Sequence, residues 1–318
     1  MITYVLFLLG LALLLAGGEV LVRGAVGLAI RIKVSQLVIG ATIVSLGTSA
    51  PELLVSVKAV LAGHPAISVG NVVGSNIANL GLVMGLVALI FPLTTDRGAA
   101  TLDWPVMMAA SLLFFLMAFD GVISRLEASF LLLLFVLYVV YSILKSRKNM
   151  RVEEGDSDFT PLREPLSTPL WKLLLMITLG SAGLFFGARW FLQGAVEMAE
   201  IFGVSQHVIS VTLIAFGTSV PELATSAIAA FRKQADISVG NLLGSNSFNI
   251  LAIMGITAAI KDVPVSSVVV NSDLLWMLGI AALVLPFLVI GKKIYRWQGA
   301  ILFALYIAYI YLVISKGV

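Results

Sequence analysis

The chain has 318 residues, of which 60% are hydrophobic and only 12% are charged. A soluble domain carries roughly twice that share of charged residues, so the composition excludes a soluble globular protein. The formal net charge of +3 belongs to the loops and does not indicate a nucleic-acid partner. The sequence contains no cysteine, which excludes disulfide bonds and thiolate metal sites.

Apolar stretches of about 20 residues, long enough to cross the hydrocarbon core of a bilayer, recur along the whole chain. They predict an all-α polytopic membrane protein of two five-helix halves, residues 1–144 and 170–318, joined by a hydrophilic linker at 145–169. The first span has no basic residue before it, which argues against a signal peptide. The ten predicted spans lie near 2–30, 34–61, 66–91, 104–119, 126–144, 170–199, 204–231, 236–260, 272–290 and 296–314.

Lysine and arginine are distributed unevenly between the loops. With the N-terminus outside, three or four of them are external (Arg125, Lys261, Lys316 and, near the end of its span, Lys58) and fourteen are cytoplasmic. The positive-inside rule therefore predicts that both termini are extracellular and that the 145–169 linker is cytoplasmic. The compact chain favours the plasma (inner) membrane of a prokaryote, and nothing in it requires an oligomer. The fourteen are Arg31, Lys33, Arg97, Lys145, Arg147, Lys148, Arg151, Arg163, Lys172, Arg232, Lys233, Lys292, Lys293 and Arg296.

A long internal repeat relates the two halves. A shift of 170 residues aligns Val34–Asn79 with Val204–Asn249 without a gap, and 23 of the 46 positions are identical. "GTSAPEL" aligns with "GTSVPEL", and "ISVGNVVGSNIAN" aligns with "ISVGNLLGSNSFN". Because five spans separate the copies, the second must be inverted relative to the first. Inverted repeats with interrupted helices are typical of secondary transporters, so breaks are predicted in helices 2, 3, 7 and 8.

The repeated motifs put polar groups beside a predicted helix break. Pro51 cannot donate to the carbonyl of Gly47 and should release carbonyls near Ser45. Glu52 follows directly, and a carboxylate in the middle of a membrane is usually functional. Hydroxyls and amides recur beside it at spacings of three or four residues, which gives two oxygen-bearing helix faces in each half. These faces carry Thr42, Ser45, Ser49, Glu52, Ser56, Asn71, Ser75 and Asn79, then Thr212, Ser219, Glu222, Ser226, Asn241, Ser245 and Asn249.

Carboxylate, hydroxyl, amide and carbonyl oxygens without imidazole or thiolate indicate a site for a hard cation. The two glutamates would offset the charge of one Ca²⁺, and the six to eight oxygens that Ca²⁺ prefers are available. Na⁺ is close to Ca²⁺ in size, so one cavity could take either ion in turn. Serine, threonine and asparagine also hydrogen-bond between membrane helices, which is the alternative interpretation of the neutral residues.

The paired "GTS-x-PEL" and "VGN-x-x-GSN-x-x-N" segments resemble the two α-repeats of the sodium/calcium exchangers, in the cation/calcium antiporter superfamily. The resemblance implies exchange of Na⁺ for Ca²⁺ by alternating access, with carbonyl ligands at Ser45 and Ala215. Some members carry an aspartate where Asn249 stands, so two central carboxylates are expected here instead of three. The ligands that the resemblance implies by motif position are Thr48, Ser49, Glu52, Ser75, Asn79, Thr218, Ser219, Glu222, Ser245 and Asn249.

Other functions remain alternatives at this point. Proton-coupled exchange of Ca²⁺ or another divalent cation is the nearest, because a glutamate can bind a proton and a metal in turn. A channel fits inverted repeats with broken helices less well. A hydrolase would need a base beside a serine, and an ATP-driven pump would need a P-loop, and the sequence shows neither. We therefore predict a transporter in the lipid bilayer rather than an enzyme, without cofactor or nucleotide.

Overall fold

The computed structural model describes residues 2–153, 168–203, 217–290 and 293–316, and almost all of them are helical. Four two-residue strands lie in the loops between helices, at Leu93–Thr94 (β1), Val122–Ile123 (β2), Val263–Pro264 (β3) and Lys293–Ile294 (β4). The helices are Ile2–Ile32 (α1), Gln36–Thr48 (α2), Ala50–Leu61 (α3), Pro65–Ile90 (α4), Ala99–Asp120 (α5), Arg125–Glu153 (α6), Leu170–Ile201 (α7), Val220–Phe231 (α8), Ala235–Ile260 (α9), Val269–Val289 (α10) and Arg296–Lys316 (α11).

The helices follow the predicted spans. Among the described residues, eight helices are long and apolar enough to cross a membrane, and the bent pair α2–α3 makes a ninth span. Of the predicted span at 204–231, the structure describes the part from Gly217 onward, which includes the short apolar helix α8. Residues 204–216, with His207, Thr212 and Ala215, lie outside the described residues.

The second span is broken where the sequence predicts. α2 and α3 meet at an angle of 48°, and Ser49 between them has φ −85° and ψ 11°. Ser219, before α8, has nearly the same backbone angles, φ −85° and ψ 2°. One detail of the prediction is wrong: the carbonyl of Ser45 is not free. It accepts a hydrogen bond of 2.9 Å from the Ser49 N–H, because the missing donor of Pro51 affects Gly47 instead.

The third and eighth spans differ from the broken helices that the repeat predicts. α4 and α9 are continuous, and each contains a π-helical segment, at Ala78–Met84 and Asn249–Met254. Neither helix has a proline after its first turn, so no missing N–H separates it into two pieces. A π segment inserts a wider turn without a break, and such turns are frequent at functional sites. Here they begin beside Asn79 and Asn249.

α1 and α7 form the most extensive helix pair in the described structure. Glycines let their backbones approach closely. A Cβ at Gly187 would lie 2.7 Å from the backbone nitrogen of Leu14, and a Cβ at Gly17 would lie 2.8 Å from that of Leu184. Small residues serve this purpose at helix contacts in membranes, where hydrophobic burial does not drive helices together.

The two halves of the chain are interleaved. β1 pairs with β4 and β2 pairs with β3, so each antiparallel ribbon joins a strand from residues 1–144 to one from residues 170–318. α9 of the second half also packs backbone to backbone against α2 of the first, where Gly244 lies against Ala41. These contacts bring the repeated motifs of both halves together.

The segment predicted as a linker is partly helical. α6 continues to Glu153, because the run from Lys145 onward is rich in residues that favour helix. The remainder, 154–167, lies outside the described residues. Arg31 at the end of α1 donates a hydrogen bond of 2.9 Å to the carbonyl of Thr168, so the linker ends beside the end of α1.

Candidate ion-binding site

Two glutamates lie in the first turns of the helices that follow the chain breaks. Glu52 is in the first turn of α3 and Glu222 is in the first turn of α8, and both side chains are 0% exposed. The positive end of a helix dipole favours a carboxylate at this position. The Glu222 carboxylate accepts a hydrogen bond of 2.9 Å from Ser49, which precedes Glu52 by three residues, so the two glutamates are neighbours. Two neighbouring buried negative charges require a cation or protons to balance them.

Ser49 connects the first chain break to the second half. Its hydroxyl lies 2.9 Å from Oε1 of Glu222 and 3.1 Å from Oγ of Ser245, both across the molecule. The neighbouring Thr48 donates to Oδ1 of Asn241 at 3.1 Å and lies 3.2 Å from the Ser45 carbonyl. All of these hydroxyls are buried. The first "GTS" motif therefore contacts the carboxylate and amide of the second half.

The matching contacts at the second chain break run toward the first half. Thr218 lies 3.3 Å from Ser75, hydroxyl to hydroxyl, and it also lies near the Glu52 carboxylate. The hydroxyl of Ser219 is buried and has no hydrogen-bond partner among the described residues. Ser219 occupies the position in its motif that Ser49 occupies in the first.

Two asparagines hold the helix segments that carry the glutamates. Asn71 donates to the backbone carbonyl of Glu52 at 3.1 Å and to the hydroxyl of Ser56 at 2.9 Å. Asn241 donates to Ser226 at 3.1 Å, as Asn71 does to Ser56. These bonds link α3 to α4 and α8 to α9, and the bond from Asn71 also holds the backbone of Glu52 itself.

Two further asparagines lie at the π segments. Asn79 donates through Nδ2 to Oδ1 of Asn246 at 3.1 Å, and Asn249 donates to Oδ1 of Asn76 at 3.0 Å. Within the described ranges, their own amide oxygens have no hydrogen-bond partner. Asn76 and Asn246 were not among the predicted site residues. The signal that could have found them is the "GSN" triplet, which both repeats contain.

The cluster contains an excess of acceptors. Six of its buried oxygens have no donor in the described structure: both carboxylate oxygens of Glu52, Oε2 of Glu222, Oδ1 of Asn79 and Asn249, and Oγ of Ser219. A buried polar atom without a partner costs about 1–3 kcal/mol, and more when it is charged. Each of these oxygens has a free lone pair that a cation bound beside it would satisfy.

The structure thus brings together most of the predicted ligands. Hydrogen bonds join Ser49 to Glu222 and to Ser245, and Ser75 to Thr218, and the predicted side-chain ligands are buried, with Thr218 partly exposed. The Ser45 side chain bonds to carbonyls of its own helix, so only its backbone could take part. Ala215 lies outside the described residues. In the part of the chain that the structure describes, no three histidine, cysteine or acidic side chains form a group.

Comparison with known proteins identifies the family. Residues 2–144 and 172–315 match the family model of the sodium/calcium exchanger protein. The chain belongs to the sodium/calcium exchanger family. Members of this family transport ions, so the chain is a membrane-embedded cation/Ca²⁺ antiporter.

Full-length relatives and solved structures agree. The sodium/calcium exchanger MaX1 of Methanosarcina acetivorans is 32% identical over 341 residues, which cover 97% of each chain. Membrane protein MJ0091 of Methanocaldococcus jannaschii is 35% identical over 303 residues, 95% of this chain and 94% of that protein. The exchanger NCX_Mj, in a structure soaked with Na⁺ and Ca²⁺, superimposes with a TM-score of 0.82 at 32% identity and covers 98% of both chains.

Proposed function

We propose that the chain exchanges Na⁺ for Ca²⁺ by alternating access and that Glu52 and Glu222 together bind one Ca²⁺. The observation that carries the proposal is the group of six buried oxygens without donors around two neighbouring carboxylates. Two carboxylates match the charge of Ca²⁺. Buried carboxylates without a counterion would be strongly unfavourable at membrane depth.

The spacing of the oxygens is compatible with ion binding. Ca²⁺ binds oxygen at about 2.4 Å, so ligands at right angles are about 3.4 Å apart. The Ser49–Glu222, Ser49–Ser245 and Ser75–Thr218 oxygen pairs are separated by 2.9, 3.1 and 3.3 Å. These separations allow each pair to share one ion. The proposed ligand set is Glu52, Glu222, Thr48, Ser49, Ser75, Asn79, Thr218, Ser219, Ser245 and Asn249, with the carbonyl of Ala215 and the second lone pair of the Ser45 carbonyl, whose first lone pair accepts from the Ser49 N–H.

Hydroxyls make Na⁺ the favoured coupling ion. Thr48 donates its proton to Asn241 and Ser49 donates toward Glu222, which leaves oxygen lone pairs free for a cation. The Thr48 hydroxyl has one proton, so when it donates to Asn241 it does not donate to the Ser45 carbonyl. Neutral oxygens spread between the two carboxylates offer several sites for monovalent ions, whereas proton exchange would need only the carboxylates.

For the membrane arrangement we propose ten spans in two inverted five-helix halves. The recurrence of the chain break, the π segment and the two-residue strands after a shift of about 170 residues supports it. Two contacts lie at the end of the bundle that carries many of the basic residues: Arg31 donates to the Thr168 carbonyl, and the Ser35 N–H donates to the Ser146 hydroxyl. We assign this end to the cytoplasm, which makes both termini extracellular.

Proton coupling is the alternative, because the same two carboxylates could be protonated when Ca²⁺ leaves. The test is uptake of ⁴⁵Ca²⁺ into proteoliposomes under an imposed Na⁺, H⁺ or K⁺ gradient without ATP. We expect uptake when Na⁺ is inside and absent outside, and little uptake with the K⁺ gradient. Uptake that follows the H⁺ gradient and ignores Na⁺ would contradict Na⁺ coupling and support the alternative.

A further inference from the structure

Four asparagine side chains form a connected hydrogen-bonded group where α4 and α9 cross. Asn79 donates to Asn246 and Asn249 donates to Asn76, so each bond joins one half of the chain to the other. Asn246 also donates to the backbone carbonyl of Asn76 at 3.2 Å, and Asn76 donates to that of Asn246 at 3.4 Å. The four side chains are at most 2% exposed.

The group gives its members two different roles. Asn79 and Asn249 use their NH₂ groups in the network, and their amide oxygens remain without partners. The amide oxygens of Asn76 and Asn246 instead accept hydrogen bonds, and their NH₂ groups donate to carbonyls. In the described structure, Asn79 and Asn249 thus have amide oxygens that no donor occupies, whereas the amide oxygens of Asn76 and Asn246 each already accept one hydrogen bond. Asn76 and Asn246 thereby hold the amides of Asn249 and Asn79.

The orientation of an asparagine amide depends on such partners. Its oxygen and nitrogen ends are nearly equal in size, so a half-turn of the amide exchanges an acceptor for a donor. A cation attracts the oxygen end and is repelled by the NH₂ end. A partner that accepts from the NH₂ group therefore decides which end can face the ion before the ion arrives.

We propose that Asn76 and Asn246 are positioning residues for ion binding: each holds the amide of the ligand from the opposite half, Asn249 and Asn79, with its oxygen toward the ion. The inference rests on the proposed function, because it takes Asn79 and Asn249 as ligands. It adds that the affinity for Ca²⁺ depends on two residues that do not contact it. Since each bond crosses between the halves, the arrangement of one half sets the ligand geometry of the other.

The test measures the KM and maximal rate of ⁴⁵Ca²⁺ uptake by reconstituted wild type, Asn246→Leu and Asn76→Leu. Leucine has nearly the size of asparagine but cannot accept the proton of the ligand amide. We expect the KM for Ca²⁺ to rise about tenfold, with a smaller change in maximal rate, because the amide loses its preferred orientation. Ser247→Ala is the matched control, since the buried Ser247 bonds only to the carbonyl of Leu243 in its own helix. Its KM should match that of wild type.

A double variant separates positioning from general packing. If Asn246 acts only through Asn79, then Asn246→Leu should raise the KM of wild type but should cause no further rise in an Asn79→Leu background. Asn246→Asp keeps an oxygen that accepts from Asn79, so its KM should lie nearer to wild type than that of Asn246→Leu. If the leucine variants do not fold, Asn246→Ala and Asn76→Ala replace them with the same expected KM.

The outcomes distinguish this inference from the proposed function. If the wild type takes up Ca²⁺ and the leucine or alanine variants have the same KM as the wild type, the positioning role is overturned and the proposed function stays intact. The positioning role is also overturned if the double variant raises the KM by the product of the two single effects, because Asn246 would then act independently of Asn79. Absence of Ca²⁺ uptake by folded wild type under every gradient would overturn both.

Discussion

Ser49 donates a hydrogen bond of 2.9 Å to Oε1 of Glu222, although 173 residues separate the two in the sequence. Each residue belongs to a motif of the form "GTS-x-PEL", and the bond joins one copy to the other. The carboxylate of the second half thus depends on the hydroxyl of the first. The bond supports the proposal of a single site assembled from both halves, rather than one site within each half.

Substitution of Ser49 should weaken Ca²⁺ binding. A hydrogen bond to a charged group contributes about 1.5–3 kcal/mol, so Ser49→Ala should raise the KM for Ca²⁺ about tenfold or more. The measurement is the concentration dependence of ⁴⁵Ca²⁺ uptake. Ser111→Ala is the control, because the buried Ser111 bonds only to Met107 in its own helix. A wild-type KM in Ser49→Ala would contradict the role of this bond.

Close packing of α1 against α7 should limit substitution of the glycines between them. Gly187→Ala would place a Cβ against the backbone of Leu14, and overpacking of this kind costs about 1–3 kcal/mol. We expect a lower melting temperature in detergent. Gly279→Ala is the control, because a Cβ there meets no atom within 4 Å and alanine favours helix. Equal melting temperatures for the two variants would contradict the close contact.

The proposed orientation can be tested with single cysteines, since the chain has none. Ser157→Cys lies in the proposed cytoplasmic linker, and His64→Cys lies in the exposed turn between α3 and α4 that we assign to the outside. In intact cells an impermeant thiol reagent should label the variant at 64 and not the one at 157. After permeabilisation both should react. The reverse pattern in intact cells would overturn the orientation.

Exchange should respond to membrane potential. If three Na⁺ leave a vesicle for each Ca²⁺ that enters, one net positive charge leaves per cycle, which corresponds to about 2.3 kcal/mol per 100 mV. An interior-positive potential, set with potassium and valinomycin, should therefore speed Na⁺-driven Ca²⁺ uptake, and an interior-negative potential should slow it. Uptake that is indifferent to potential would indicate two Na⁺ per Ca²⁺ instead.

Much of the site can be predicted from the sequence because the same unusual residues occur twice. A proline followed by a glutamate within an apolar span indicates a break and a charge at membrane depth, and Glu52 and Glu222 both satisfy this pattern. The structure places both in first helical turns, beside each other and buried. The helix break and the glutamate beside it depend on residues that are adjacent in the sequence, so a short motif is sufficient to predict both.

Other features depend on contacts between the halves. Asn76 comes one residue after Ser75 and three residues before Asn79, so it does not belong to the i, i+4 series that those two residues form. Helical spacing also does not show that Asn76 contacts Asn246 of the other half. The π segments of α4 and α9 are also hidden, because one wider turn hardly changes an apolar pattern. The helical start of the linker was missed because its mixed charge resembles that of a flexible segment.

The central claim is that Glu52 and Glu222 share one Ca²⁺, and the most direct measurement is Na⁺-driven ⁴⁵Ca²⁺ uptake by Glu52→Gln and Glu222→Gln in proteoliposomes. Each substitution keeps the side-chain size and removes half of the countercharge. We expect both variants to fold and insert but to lose Ca²⁺ uptake, whereas Glu197→Gln, at the end of α7 where Glu197 bonds to Thr3, should transport normally. Wild-type uptake by either well-folded site variant would contradict the shared site.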